Sequence, residues 1–179
     1  MLTKILIVLA IILVVFAIVA ALQPARFRIV RSTAISAPPA VVFGWVNDLH
    51  AWQEVSPWAK LDPAVKNTFA GPPAGLGAVF SWSGNAKVGE GRMTITESRP
   101  NELVRFRLEF LKPFKATNTA EFAFQTEGGQ TVVSWSMSGE RNFIFKAVGL
   151  FMNMDKVVGG DFEKGLASLK ALAEAKAKT

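Results

Sequence analysis

Between Lys87 and Gly139 the sequence alternates residue by residue, and no other stretch constrains the fold as tightly. Large apolar groups keep to one parity: Met93 and Ile95; Phe106, Leu108 and Phe110; Phe122 and Phe124; Val133, Trp135 and Met137. Turn residues separate the runs at Arg99-Pro100-Asn101, Lys112-Pro113 and Gly128-Gly129. Period-two alternation broken by turns predicts an antiparallel meander with one buried face, with strands over 88–97, 103–111, 115–126 and 131–137. That face is broad, aromatic and short of charge. It is expected to line a cavity for a hydrophobic small molecule.

The flanking chain supplies the other elements. Residues 27–37 alternate and read as a first strand, which Pro38-Pro39 ends while opening a helix over 40–48; proline at a first helical turn forfeits only an N–H that would be unpaired anyway. The stretch 49–62 holds His50, Trp52, Glu54 and Trp58, and its tryptophans either cap the core or form a pocket mouth. Short strands follow over 65–69 and 78–84, the second turning Phe80 and Trp82 inward. The glycine- and proline-rich loop 71–77 has no Lys-Ser/Thr and precedes a strand, so it is no phosphate loop. Gly89 and Gly91 share the inward parity of Met93, and such a gap signals a close approach by the long helix or by a ligand. The last element begins near Phe143 and is expected to be one long helix by Phe151. Phe151, Met154, Val158, Phe162, Leu166, Leu169 and Leu172 give it an apolar stripe. Gly159-Gly160 within it predict close packing or a kink.

Composition excludes several chemistries. The chain has 179 residues, enough for one domain with a core, and it holds no Cys, no Tyr and one His. Thiolate chemistry, disulfides and a multi-His metal site within one chain are thereby excluded. The net charge of +6 comes from bases scattered singly among acids, which is not a nucleic-acid footprint. At the amino terminus, Ile5 to Leu22 is uninterrupted apolar chain, about 27 Å long as a helix. It reads as an uncleaved, single-pass membrane anchor; it exceeds a signal-peptide core, although cleavage and secretion is the competing reading. The side of the membrane is not readable from the flanking charges. This gives an anchor and linker over 1–25, a ligand-binding domain over 26–176 and a frayed tail over 177–179.

The order is strand, helix pair, six-strand meander and long carboxy-terminal helix: an α+β chain whose curved antiparallel sheet of about seven strands wraps a helix. Several segments carry a family resemblance: Ile35-Ser36-Ala37-Pro38-Pro39-Ala40-Val41-Val42-Phe43; Trp52 with Ser56-Pro57-Trp58; Gly89-Glu90-Gly91; Thr131-Val132-Val133-Ser134-Trp135; and Gly165-Leu166-Ala167-Ser168-Leu169-Lys170. Over about residues 27–175 the chain resembles the START-like, or SRPBCC, superfamily of helix-grip proteins, which includes polyketide cyclase/dehydrase-type members. The resemblance implies a shared cavity rather than a catalytic motif, and no cofactor.

The expected cavity residues are Trp52, Trp58, Phe80, Trp82, Met93, Phe106, Phe110, Asn118, Phe122, Trp135, Met137, Phe151, Met154 and Val158. Possible polar contacts are His50, Glu90 and Asp155. Asn118 stands out as an amide on the inward parity, which must bond backbone or orient a ligand. Glu90 falls on the outward parity unless a bulge at the glycines turns it in. No catalytic or metal-binding residue is assigned. Three functions fit: a membrane-tethered binder or carrier of a lipid, quinone or polyketide-like molecule; a cyclase or dehydratase using His50, Glu90 or Asn118; or a scaffold with a filled core. The first two require a cavity of roughly 300–1,000 Å³.

Overall fold

A computed structural model of the chain describes residues 1–178; Thr179, at the end of the expected tail, lies outside the described residues. The apolar amino-terminal run forms a single helix, α1 (Leu2–Leu22), with only Ala20 buried. By length and composition it can cross a membrane, and it equally fits a signal sequence. Next come β1 (Arg26–Ile35), α2 (Pro39–Asn47) and the one-turn α3 (Trp52–Val55). The meander follows as β2 (Lys66–Ala70), β3 (Val79–Ser83), β4 (Glu90–Arg99), β5 (Leu103–Lys112), β6 (Ala116–Glu127) and β7 (Gln130–Glu140). Two helices close the chain, α4 (Phe143–Gly149) and α5 (Met154–Lys176).

All seven strands join one antiparallel sheet in the order β1-β7-β6-β5-β4-β3-β2. The alternation sets its register. Phe106 stands opposite Ile95 on one side and Ala120 on the other, and Phe122 stands opposite Trp135, so the apolar parity of every strand meets on one face. The outer face carries charge instead: Arg105 bridges Glu97 and Glu121, and Arg92 reaches Glu109 at 2.7 Å. Exposed pairs of this kind contribute little stability each. Register shifts at Glu90/Gly91 and Ile95/Glu97 mark bulges in the β4–β5 pair, and bulges sharpen the twist that curls a sheet.

β1 is an edge strand, with β7 on one side only. On its other side it is tied to α5 by polar contacts spread along the strand. Arg31 Nε donates to Glu163 at 2.7 Å and Nη2 to Asp155 at 3.0 Å; Lys170 Nζ donates to the Ala34 carbonyl at 2.6 Å; and the Ser36 N–H donates to Glu174 at 2.8 Å. The bonds to the Ala34 carbonyl and the Ser36 N–H occupy backbone groups at or just past the end of the edge strand, and the Arg31 pairs hold α5 alongside it. Gly159 lies beneath the Arg31 guanidinium, where any side chain would collide. Of the Gly159-Gly160 pair only Gly159 is closely packed, against Arg31; Gly160 faces open space, and the helix runs on through both to Lys176.

One expectation is corrected here. The carboxy-terminal element is two helices, not one by Phe151. Asn142 accepts from the Phe145 N–H at 2.9 Å and Asn153 from the Lys156 N–H at 3.1 Å, so each helix has its own capped start. Phe151 falls in the break between them, 83% exposed, and stacks on Phe16 of α1 at 5.9 Å.

The sheet and α5 meet at Trp135. Its ring lies parallel to Phe162 of α5 at 4.0 Å and near-parallel to Phe122 at 4.7 Å, with Trp52 and Trp58 edge-on at 5.3 and 5.8 Å. Gly165 makes the approach possible, because a Cβ there would sit 2.6 Å from the indole and 3.2 Å from Pro57. Two helical glycines should thus respond in opposite senses. Gly165→Ala is expected to lower stability by about 1–3 kcal/mol through overpacking. Gly44→Ala in α2, with open space around it, should raise stability by up to ~1 kcal/mol. Urea unfolding of the detergent-solubilised chain checks both; a neutral Gly165→Ala would show that the ring contact is loose.

Candidate functional site

Between the inner face of the sheet and α5 lies a cavity of about 300 Å³. Five strands supply its wall: Phe80 and Trp82 from β3, Met93 from β4, Phe106, Leu108 and Phe110 from β5, Ala120 and Phe122 from β6, and Trp135 and Met137 from β7. Trp52, Gln53, Ser56 and Trp58 close it from α3 and the following loop, while Val158, Asp161 and Phe162 close it from α5. The remaining lining is Ala59 in the loop after α3, Val65 just ahead of β2, Asn67 of the edge strand β2, and Lys87 and Val88 of the β3–β4 turn. Alternation places these side chains: every sheet residue from β3 to β7 in the wall has the parity that faces α5.

Most of the residues expected from sequence come together here: Trp52, Trp58, Phe80, Trp82, Met93, Phe106, Phe110, Phe122, Trp135, Met137 and Val158. Asn118, Phe151 and Met154 do not line the cavity. Asn118 is buried on the inward parity, but one rung beyond Ala120; its Nδ2 reaches Met137 Sδ at 3.9 Å, and its oxygen fills the space beside Gly139. Met154 opens α5 ahead of the cavity. The inward gap at Gly91 is filled by neither helix nor ligand. Trp82 is its partner on β3 and lays its indole over the glycine, while Gly89 is covered by the Lys112 carbonyl.

The expected polar contacts lie outside as well. His50 is exposed and stacks on Phe69 at 3.7 Å. Glu90 stays on the outer side despite the adjacent register shift, accepting from Lys112 at 2.9 Å and Ser83 at 3.2 Å. The Lys112 ammonium, followed by the Ser83 hydroxyl, holds the Glu90 carboxyl below the usual range against the opposing effect of desolvation. Asp155 is held low in the same way by the Arg31 guanidinium, and Arg31 is in turn pushed above its ordinary value. The Ser36 N–H does this for Glu174.

The carboxylate that does reach the cavity is Asp161, which sequence reading missed. It accepts from Trp58 Nε1 at 3.3 Å and from Lys164 at 2.9 Å. Its spacing of three from Val158 put it on the inner face of α5, and that signal was available. A second indole of the wall, Trp82, donates to the Val88 carbonyl at 3.0 Å. The Trp135 N–H is buried without a hydrogen-bond partner among the described residues. Among those residues no cluster of His, Asp or Glu could hold a metal ion. The arrangement is an apolar enclosure with a few polar groups, Gln53, Ser56, Asn67, Lys87 and Asp161, in its lining. It suits partition and orientation of an apolar molecule better than proton transfer.

Because Asp155, Glu174 and Glu90 have lowered pKa values in the fold, their contribution to stability is complete above the ordinary carboxylate value of about 4 and is lost as pH falls through the lower folded-state values. The melting temperature is expected to drop as pH falls below about 4. Asp155→Asn should melt lower at neutral pH and lose less on acidification than the parent. Equal acid losses in thermal melts would remove the Arg31–Asp155 pair from the explanation.

Residues 26–174 match the family model described as polyketide cyclase / dehydrase and lipid transport. The fold is similar to that of protein CV1439 from Chromobacterium violaceum, with a TM-score of 0.59 at 17% identity, covering 85% of this chain and 99% of that one. The Aha1 dimer from Colwellia psychrerythraea gives 0.60 at 17% identity, over 83% and 96% of the two chains. The di-domain ARO/CYC StfQ from the steffimycin biosynthetic pathway gives 0.62 at 12% identity, over 87% of this chain and 53% of that one. Identities this low carry the fold alone. No curated protein matches the chain.

Proposed function

The chain belongs to the polyketide cyclase / dehydrase and lipid transport family, and from that premise we propose that it binds a small hydrophobic molecule in this cavity while α1 tethers it to a membrane. One observation carries the reading: the apolar parity of five strands and one face of α5 leave about 300 Å³ open instead of closing on each other. That volume is at the lower end of the range for ligand sites, roughly 300–1,000 Å³. A lipid, quinone or polyketide-like molecule has the required chemistry, and a bilayer around α1 would be its reservoir. Binding is favoured over a cyclase or dehydratase reaction because His50, Glu90 and Asn118 all stand outside the lining. It is favoured over a filled scaffold because the space is there.

Native mass spectrometry of the full chain purified from membranes, with extraction of what co-purifies, tests this. A lipophilic species should accompany the parent protein. Ala120 is a small, buried residue of the wall, and Ala120→Phe would project a ring into the open space. Occupancy should fall by about tenfold or more, the equivalent of ~1.4 kcal/mol or more in affinity, with the fold retained by circular dichroism. The proposal fails if the filled variant carries the same species at the same occupancy, or if neither protein carries one.

A further inference from the structure

Beside α1 the folded domain presents an apolar face that the described residues leave largely exposed. Ile144 and Val148 of α4 are exposed, as are Phe151 and Met152 in the following loop and Leu111 and Phe114 at the β5–β6 turn. The two segments are one surface, because Phe114 meets Phe145 of α4 edge-on at 6.1 Å. Contiguous apolar area of this kind marks a binding surface.

We infer that this face docks on a lipid bilayer, its apolar side chains in the headgroup–acyl boundary of the leaflet from which α1 emerges. This deepens the proposed function and rests on α1 spanning a membrane. Position argues for lipid as the occupant. Phe151 stacks on Phe16, which lies six residues before the end of α1. At ~1.5 Å per residue that is ~9 Å below the helix end, within the 5–10 Å depth of an interfacial helix. At the helix end itself, Lys146 donates to the Ala21 carbonyl at 3.2 Å, where a snorkelling ammonium would meet headgroups. Charge agrees: 141–152 and 111–116 contain no acidic residue, and although Lys112 is paired with Glu90, Arg141, Lys146 and Lys115 leave the face basic, which suits anionic lipid. Docking also directs the cavity. Phe110 stands just before the β5–β6 turn, and Val158 lies one turn into α5 after the loop, so this end of the wall would face the lipid.

The absence of cysteine permits single-site labelling of the full chain. An environment-sensitive fluorophore is placed on Ile144→Cys and Phe151→Cys, on Val14→Cys within α1, and on Leu76→Cys in the exposed β2–β3 loop. The proteins are reconstituted into phosphatidylcholine–phosphatidylglycerol vesicles carrying an acyl-chain quencher. Labels at 14, 144 and 151 should be quenched several-fold more than the label at 76. If 144 and 151 behave like 76 while 14 is quenched, the docking inference is overturned and the tether stands. If 14 is also unquenched, the tether and the docking fall together. Blue-shifted labels at 144 and 151 that lipid quenchers do not reach would assign the face to a second copy of the chain and overturn lipid as its occupant.

Discussion

The parallel contact of Trp135 with Phe162 holds the rest of the structure in place, and it depends on a single missing side chain at Gly165. Around Trp135 stand Trp52, Trp58 and Phe122, and from Phe162 the buried packing of α5 runs on through Leu166, Leu169 and Ala173. The polar clamps from β1 to α5 fix the helix along the sheet edge. The cavity lies against the ring cluster, between Val158, Asp161 and Phe162 of α5 and the inward side chains of β3 to β7.

What could be read from the sequence follows from the range of the interactions involved. Alternation reports a one-sided sheet whatever its partners are, so Phe106, Phe122, Trp135 and Met137 could be assigned to the inner wall before any fold was known. Register is a cross-strand property. The gap at Gly91 was visible, but the identity of its filler was not, since Trp82 covers it only once β3 is paired at that rung. The break before α5 was hidden for a different reason. Phe151, Met154 and Val158 keep helical spacing across it, while the interruption comes from the Asn153 cap, a local competition that periodicity does not register. The spacing of Asp161 from Val158 is legible in the sequence, but its bond to Trp58, 103 residues away, is not.

That same Trp58–Asp161 bond shows how few polar groups the enclosure needs. It ties the loop after α3 to α5 across the cavity and satisfies an indole N–H and a carboxylate oxygen together. Trp82 is satisfied by the Val88 carbonyl of the β3–β4 turn. Both bonds hold covering segments in place, so these two indole N–H groups have structural partners of their own.

Only Gln23, Pro24 and Ala25 separate α1 from β1. Fully extended, three residues reach ~10 Å, and the proline stiffens them further. Under the proposed tethering, a domain on so short a linker would stay beside the bilayer that holds α1, and a bound molecule would be exchanged only with what diffuses to it in the plane or arrives from solution.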